Sequence, residues 1–289
     1  MEEIKTITIK DEKYPAELKK ISDAPKILYY RGILPRLNES CIGIVGTRRP
    51  SPYGQQATAH ITHGLADAGL TIISGMAPGI DTFAHKTCVE RNARTIAVLG
   101  TGLDQKSIYP QENIKLAEKI IETGGCLISE FEPGTHGSKF TFPKRNRIIS
   151  ALSLGVVVIE AKEKSGSLIT AHYAKRQGKK IFAVPGQIFM ANATGPHSLI
   201  KEGALLVHQI NDIIKELNVN PLFIKKNEKQ IIENGDEALI LNILKEESLP
   251  IDKIIERTHL NASTVATKLA LMEISGTIRN LGGNTYCVN

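Results

Sequence analysis

The segment His136–Arg147, H-G-S-K-F-T-F-P-K-R-N-R, packs Lys139, Lys144, Arg145 and Arg147 among Phe140, Phe142 and Asn146, with no acid before Ser150. Lysine and arginine neutralise backbone phosphates, and an exposed phenyl ring offers a face on which any base can stack. That pairing of chemistries suits unpaired nucleic acid. Duplex readers instead present a helix or ribbon shaped to a groove. One phenylalanine is expected to be buried and one of Arg145 and Arg147 to be structural, with the rest facing a ligand. A second group, G-T-R-R-P-S-P-Y-G, offers the Thr47 hydroxyl and the planar fork of Arg48, followed by a helix start near Tyr53. Fork and helix N-terminus both favour an anion; the bland reading pairs Arg48 and Arg49 with surface acids. In S-G-M-A-P-G-I-D, Gly75 and Gly79 permit close backbone approach, for a ligand or only for packing. Ser165, Gly166 and Ser167 form a compact donor set before a helix that also carries Lys175 and Arg176, which extend the positive track.

Catalytic alternatives are thinner. Asp81, Glu130 and Glu160 fall at strand ends and have the chemistry of acids, bases or nucleophiles. No histidine pairs convincingly with a serine or cysteine, so these carboxylates are expected to fix arginines and backbone groups around the rim. His60 and His63 share an H-x-x-H spacing without an acidic ligand pattern, so no metal is expected. There is no G-x-x-x-x-G-K-[ST], and no G-x-G-x-x-G opens the first helix, so neither a P-loop nor a dinucleotide cofactor is expected.

These groups need a frame. Near-continuous apolar runs at 41–46, 70–75, 94–100, 126–130, 155–161, 179–186 and 204–207 alternate with helical patterns such as Tyr53–Ala68, Pro110–Glu122 and Ser167–Gln177. Strands without alternation are covered on both faces, which predicts an α/β fold with a doubly wound, mostly parallel sheet. In such sheets ligands bind outside the carboxyl ends of the strands, where the motifs above fall. Residues 1–40 read as a lead-in packing on this sheet domain, with a short helix near Tyr14–Ile21 and an I-L-Y-Y-R-G strand. The sheet domain spans 41–217, and 218–235 is a linker containing Pro221. Residues 236–289 read as three helices and a Gly282–Gly283 hairpin, a winged-helix pattern in which Leu269, Leu271 and Met272 pack.

The chain has 289 residues, a net charge of +6 and a pI near 9.0. From Asp236 onward there are five basic and seven acidic residues, so the first 235 carry 31 basic against 23 acidic. A polyanion should meet the large N-terminal part, and the tail should dock a protein or another subunit. No apolar stretch reaches 18 residues, no signal peptide is visible, and Cys41, Cys88, Cys126 and Cys287 lack C-x-x-C spacing. The expected setting is cytoplasmic, away from membranes.

Taken in order, G-T-R-R-P-S-P-Y-G, S-G-M-A-P-G-I-D, A-V-L-G-T-G-L-D, Y-P-Q-E-N, S-E-F-E-P-G, F-P-K-R-N-R-I-I-S, E-A-K-E-K-S-G-S-L-I-T-A and F-A-V-P-G closely resemble the DprA/Smf family of DNA-processing proteins. The resemblance runs from about Tyr14 to Val207 and continues more loosely through the tail. It implies an extended Rossmann-like domain followed by a winged helix. It further implies a dimer that binds single-stranded DNA, protects it during natural transformation and loads the RecA recombinase, with no catalytic turnover. By motif, the strand-binding groups would be Arg48, Lys139 and Phe142, with Arg145, Arg147 and the Ser165–Ser167 turn contributing; this selects Phe142 over Phe140 as the stacking ring. Many members carry an N-terminal SAM-type module, and this chain is expected to start too late for one. The rival readings are a nucleotide phosphoribohydrolase, whose P-G-G-x-G-T stretch is missing from the sequence, and a transcription regulator acting through the tail.

Overall fold

The computed structural model describes residues 3–219, 235–274 and 277–288. Its contacts divide the chain into two units, Met1–Ile224 and Lys225–Asn289. Most of the expected 218–235 linker lies outside the described residues.

In the first unit the elements follow as β1 (Lys5–Thr8), α1 (Ala16–Lys19), β2 (Ile27–Gly32), β3 (Cys41–Val45), α2 (Pro52–Asp67), β4 (Thr71–Ser74), α3 (Ile80–Glu90) and β5 (Thr95–Leu99). They continue as α4 (Ile114–Glu122), β6 (Cys126–Ser129), α5 (Thr141–Ala151), β7 (Gly155–Val158), α6 (Gly166–Arg176), β8 (Lys180–Ala183), α7 (Thr194–Lys201), β9 (Leu205–Leu206) and α8 (Ile210–Glu216). One nine-stranded sheet results, in the order β1-β2-β6-β5-β4-β3-β7-β8-β9. The seven strands from β3 to β9 are parallel and coincide with the seven apolar runs. Those from β3 to β8 are covered on both faces, and β9 is the open edge. Cys41 and Val45 of β3 enter one core with Ile148 of α5 and Ala171 of α6, while Ile42 and Ile44 enter another with Ile61 of α2 and Ala84 of α3. Alternate residues of a strand point to opposite faces, so burial on both sides demands the unbroken apolar pattern. The lead-in does more than pack on this sheet. Its β1 and β2 extend the sheet antiparallel beyond β6, with Tyr29 opposite Ser129.

The chain builds outward from β3 through β4 and β5 to β6, then returns to place β7 on the other side of β3. This reversal is a topological switch point, where neighbouring loops diverge and open a crevice at the carboxyl edge.

The second unit contains α9 (Asp236–Glu246), β10 (Leu249–Pro250), α10 (Ile251–Thr258), α11 (Ala262–Ile274), β11 (Ile278–Gly282) and β12 (Thr285–Val288), with a three-stranded sheet ordered β10-β12-β11. Leu269 and Met272 join Ile240, Leu244 and Ile254 in its core. Leu271 does not; it is 51% exposed on the opposite side of α11. The lone lysine of that helix, Lys268, is paired with Glu237 at 2.8 Å.

Candidate nucleic-acid interface

A cleft of about 620 Å³ opens at the carboxyl edge, between the loop after β3, the loop before α5 and the start of α6. The β3 loop is held from below. Thr47 donates its N–H to the Glu160 carbonyl (2.7 Å), and the Glu160 carboxylate accepts from the Ser51 amide (2.9 Å) and hydroxyl (2.5 Å). Ser51 in turn caps α2 by accepting from the Gly54 amide at 3.0 Å. Across the loop, Ile80 donates its N–H to the Thr47 carbonyl at 3.2 Å. Gly79 has φ +85°, and a Cβ there would lie 2.3 Å from the Thr47 oxygen. Its role is therefore to let the two loops touch. Arg48 is left pointing outward.

The aromatic and basic segment forms a helix, α5. Pro143 sits in its first turn, where amides have no intrahelical acceptor and proline costs little. Phe142 is half-buried, with its ring against the Gly100 and Gly137 backbones; a Cβ on Gly137 would meet ring carbon Cζ at 2.3 Å. The Arg48 guanidinium lies 5.5 Å from the ring centroid and the Tyr109 ring 5.4 Å away, tilted by 49°. Tyr109, in the Y-P-Q-E-N stretch, is thus a site residue that composition and charge did not single out. Phe140 is 73% exposed, with the Lys139 ammonium 5.2 Å from its ring. Neither phenylalanine is buried, contrary to expectation.

A helix turns about 100° per residue, so the run Lys144–Arg147 cannot face one ligand. Arg145 points into the protein and is 3% exposed. It donates to the carbonyls of Gly75 (2.5 Å) and Val98 and, through Nε, to Asn146 Oδ1 (3.1 Å), joining the ends of β4 and β5. Burial pulls its guanidinium down to about 10, opposed by the facing Asp81. Arg147 is equally buried and binds Glu130 at 2.6 Å and Asp23 at 3.1 Å. The expectation that one of these arginines meets the ligand is corrected: both are structural. Gly75 is buried beneath Arg145, where a Cβ would come within 2.3 Å of Nη1, so it makes room for the guanidinium. Asn146 is also buried and donates to the Gly166 carbonyl at 3.1 Å, fixing α6 to α5.

At the head of α6, Ser165 accepts from the Ser167 amide while their hydroxyls lie 2.8 Å apart. Gly166 is exposed, with open space where a Cβ would be. This turn lines the cleft. Lys175 and Arg176 do not extend the track. They lie in the last turn of α6, about 14 Å along its axis from Gly166, and Lys175 faces Glu202 at 3.7 Å. The carboxylates are committed as expected: Asp81 accepts from the Gly75 amide (3.1 Å), Glu130 binds Arg147 and Lys144, and Glu160 holds the β3 loop. Burial raises the Asp81 carboxyl above its usual range, with Arg145 opposing. His63 pairs with Asp67 at 2.8 Å, and no cluster of metal-ligating side chains occurs among the described residues.

The resulting rim is electropositive on its outer side. α2, α3, α5 and α6 all begin at the carboxyl edge, adding amide donors and favourable dipoles. Among the described residues neither Arg48 nor Lys139 has a carboxylate within ion-pair distance. Two free cations, two ring faces and a hydroxyl-lined turn can together take a phosphate backbone and its bases.

Residues 5–218 match the family model described as DNA recombination-mediator protein A, and residues 225–284 match the DprA winged helix domain. The chain is 45% identical to the DNA processing protein DprA of Bacillus subtilis over 215 residues, covering 74% of this chain and 71% of that one. It is 38% identical to Protein Smf of Escherichia coli over 279 residues, covering 94% and 74%. The X-ray structure of DNA processing protein A from Streptococcus pneumoniae superposes with a TM-score of 0.69 at 41% identity, covering 74% of each chain. DNA processing protein A from Helicobacter pylori, whose structure addresses its single-stranded DNA binding mode, gives 0.66 at 32%, covering 75% and 98%. The chain therefore belongs to the DprA/Smf family of DNA recombination mediators.

Proposed function

We propose that this chain binds single-stranded DNA in the carboxyl-edge cleft, protects it, and loads RecA recombinase onto it, acting as a cytoplasmic homodimer. The observation that carries the reading is the Arg48–Phe142–Tyr109 group: a ring lining the cleft, beside cations with no carboxylate in ion-pair distance among the described residues. Bases stack on Phe142 while Arg48, Lys139 and the Ser165–Ser167 turn take phosphates. The engagement of Asp81, Glu130 and Glu160 in holding the rim together supports binding over turnover. Delivery to RecA is supported by the recombination-mediator family, and strand binding by the Helicobacter pylori relative. Dimerisation is supported by the open edge of β9, where Leu206 is exposed; two clefts on one strand add avidity. No described helix is long and apolar enough to cross a membrane, and the buried Cys41 and Cys88 carry free thiols, in keeping with a reducing compartment.

The test is titration of the full chain with single-stranded DNA and with duplex of equal length at two salt concentrations. Phe142→Ala should weaken strand binding by about fivefold or more with an unchanged salt slope. Lys139→Ala should take about 0.7 from that slope. Equal affinity for duplex, or a slope indifferent to Lys139, overturns the reading. RecA loading is read separately, as a shorter lag in filament assembly on strand pre-bound by the chain.

A further inference from the structure

On the far side of the β3 loop lies a second aromatic surface that the cleft does not use. Tyr53 is 48% exposed, yet its hydroxyl donates to the Pro185 carbonyl at 2.6 Å, so the ring is pinned with a face to solvent. Beside it, the loop after β8 displays Phe189 at 93% exposure, flanked by the exposed Ile188 and Met190. A depression of about 370 Å³ is lined by Tyr53, Val184 and Pro185 together with Met190, the neighbour of Phe189. Three adjacent apolar side chains held out in water mark a contact surface.

Its occupant is indicated by what surrounds it. Asn192 donates to the Arg49 carbonyl (3.1 Å) and to the Glu160 carboxylate (3.3 Å), so the apolar loop and the cationic loop are tied together. Arg49 is exposed at their junction and has no carboxylate within ion-pair distance among the described residues. Glu160, which lines the depression, is engaged by Ser51 and Asn192. From β4, beneath the cleft, to β8 is three positions in the sheet, about 14 Å, a span of a few nucleotides. Ring, unopposed cation, ring is the order met along the edge.

We propose that the strand held on Phe142 continues across Arg48 and Arg49 and stacks further bases on a second platform formed by Tyr53 and Phe189, with Arg49 taking the phosphate between. This rests on the cleft reading, and two strand lengths separate the two claims. Full-length protein is titrated with a thymidine strand of about 6 nucleotides, enough for one platform, and with one several times longer. Phe189→Ala, at a site too exposed to endanger folding, should leave the short strand's affinity unchanged and weaken the long strand's by about fivefold or more. Arg49→Ala should take about 0.7 from the salt slope of the long strand only. A 2-aminopurine placed along the long strand should be quenched by the native chain and recover in Phe189→Ala. If Phe142→Ala weakens both strands while Phe189→Ala weakens neither, the second platform is overturned and the apolar loop serves a protein partner or a second copy. If Phe142→Ala is also silent, the cleft reading itself fails.

Discussion

Replacing Arg145 by methionine separates a basic residue that builds the rim from those proposed to touch a strand. The guanidinium donates to two backbone carbonyls and to Asn146, and stands opposite Asp81, which is itself 6% exposed. Methionine fills much of the volume but leaves these acceptors unpaired and Asp81 without its compensating charge. Breaking a buried pair from one side costs about 3–5 kcal/mol, a large share of the roughly 5–15 kcal/mol that holds a domain folded. Asp81 then sets the pH dependence. Burial already raises its pKa and Arg145 holds it down, so removing the arginine raises it further. An acid with a raised folded-state pKa favours folding at low pH and loses that advantage as pH rises. The Arg145→Met penalty should therefore be smaller in mild acid than above neutrality, and Asp81→Asn in the same chain should recover part of it. Urea unfolding across pH measures both effects. The same samples, titrated with single-stranded DNA, should keep the native salt slope, because no phosphate meets this guanidinium. A stability loss under about 1 kcal/mol, or a slope reduced as in Lys139→Ala, refutes the structural assignment.

Gly79→Ala should cost about 1–3 kcal/mol and weaken strand binding as well, since a Cβ at φ +85° would push on the Thr47 carbonyl and displace Arg48; denaturation and titration of one sample read both. His85 is fully buried, hydrogen-bonded to Thr95 at 2.8 Å, with burial lowering its pKa to about 3. A depressed histidine stabilises above its unfolded pKa, so stability should fall by up to about 1.4 kcal/mol per pH unit between the ordinary 6.5 and about 3, and His85→Gln should flatten that limb in acid unfolding curves. Lys175→Ala and Arg176→Ala should leave the salt slope unchanged, since both side chains lie at the far end of α6.

The frame was legible because its cause is local. Strands buried on both faces must be apolar throughout, and the parallel strands announced themselves that way from 41–45 onward; the edge strand β9 is apolar too, although it leaves Leu206 exposed. The positions of the G-T-R loop and the Ser165–Ser167 turn followed from being at strand ends. What escaped depends on distant partners. Arg145 is buried because Gly75 and Val98 offer carbonyls, and Arg147 because Glu130 and Asp23 wait for it. Proline in the segment masked α5, and without the helix three of its four cations read as facing one ligand. Lys175 and Arg176 followed their motif in the chain but not in space, since a helix carries its last turn away from the edge where it starts. Tyr109 needed the third dimension to meet Phe142, although its Y-P-Q-E-N stretch stood among the family motifs.

The first 235 residues carry a modest charge excess, and at the cleft the structure makes it directional by turning three strand-end acids inward. Asp81 lies beneath Arg145, Glu130 beneath Arg147 and Lys144, and Glu160 beneath the β3 loop. Each acid spends its charge on the scaffold, so the outward-facing Arg48, Arg49 and Lys139 are left uncompensated where four helices also begin. The winged helix uses its charges the other way, pairing the one lysine of α11 with Glu237 and leaving Leu271 exposed. Under the proposed function a surface of that kind suits a protein partner, and strand capture falls to the sheet unit. For the same reason, adding cations to the outer face of α11 should raise duplex affinity while leaving the strand affinity of the cleft as it was.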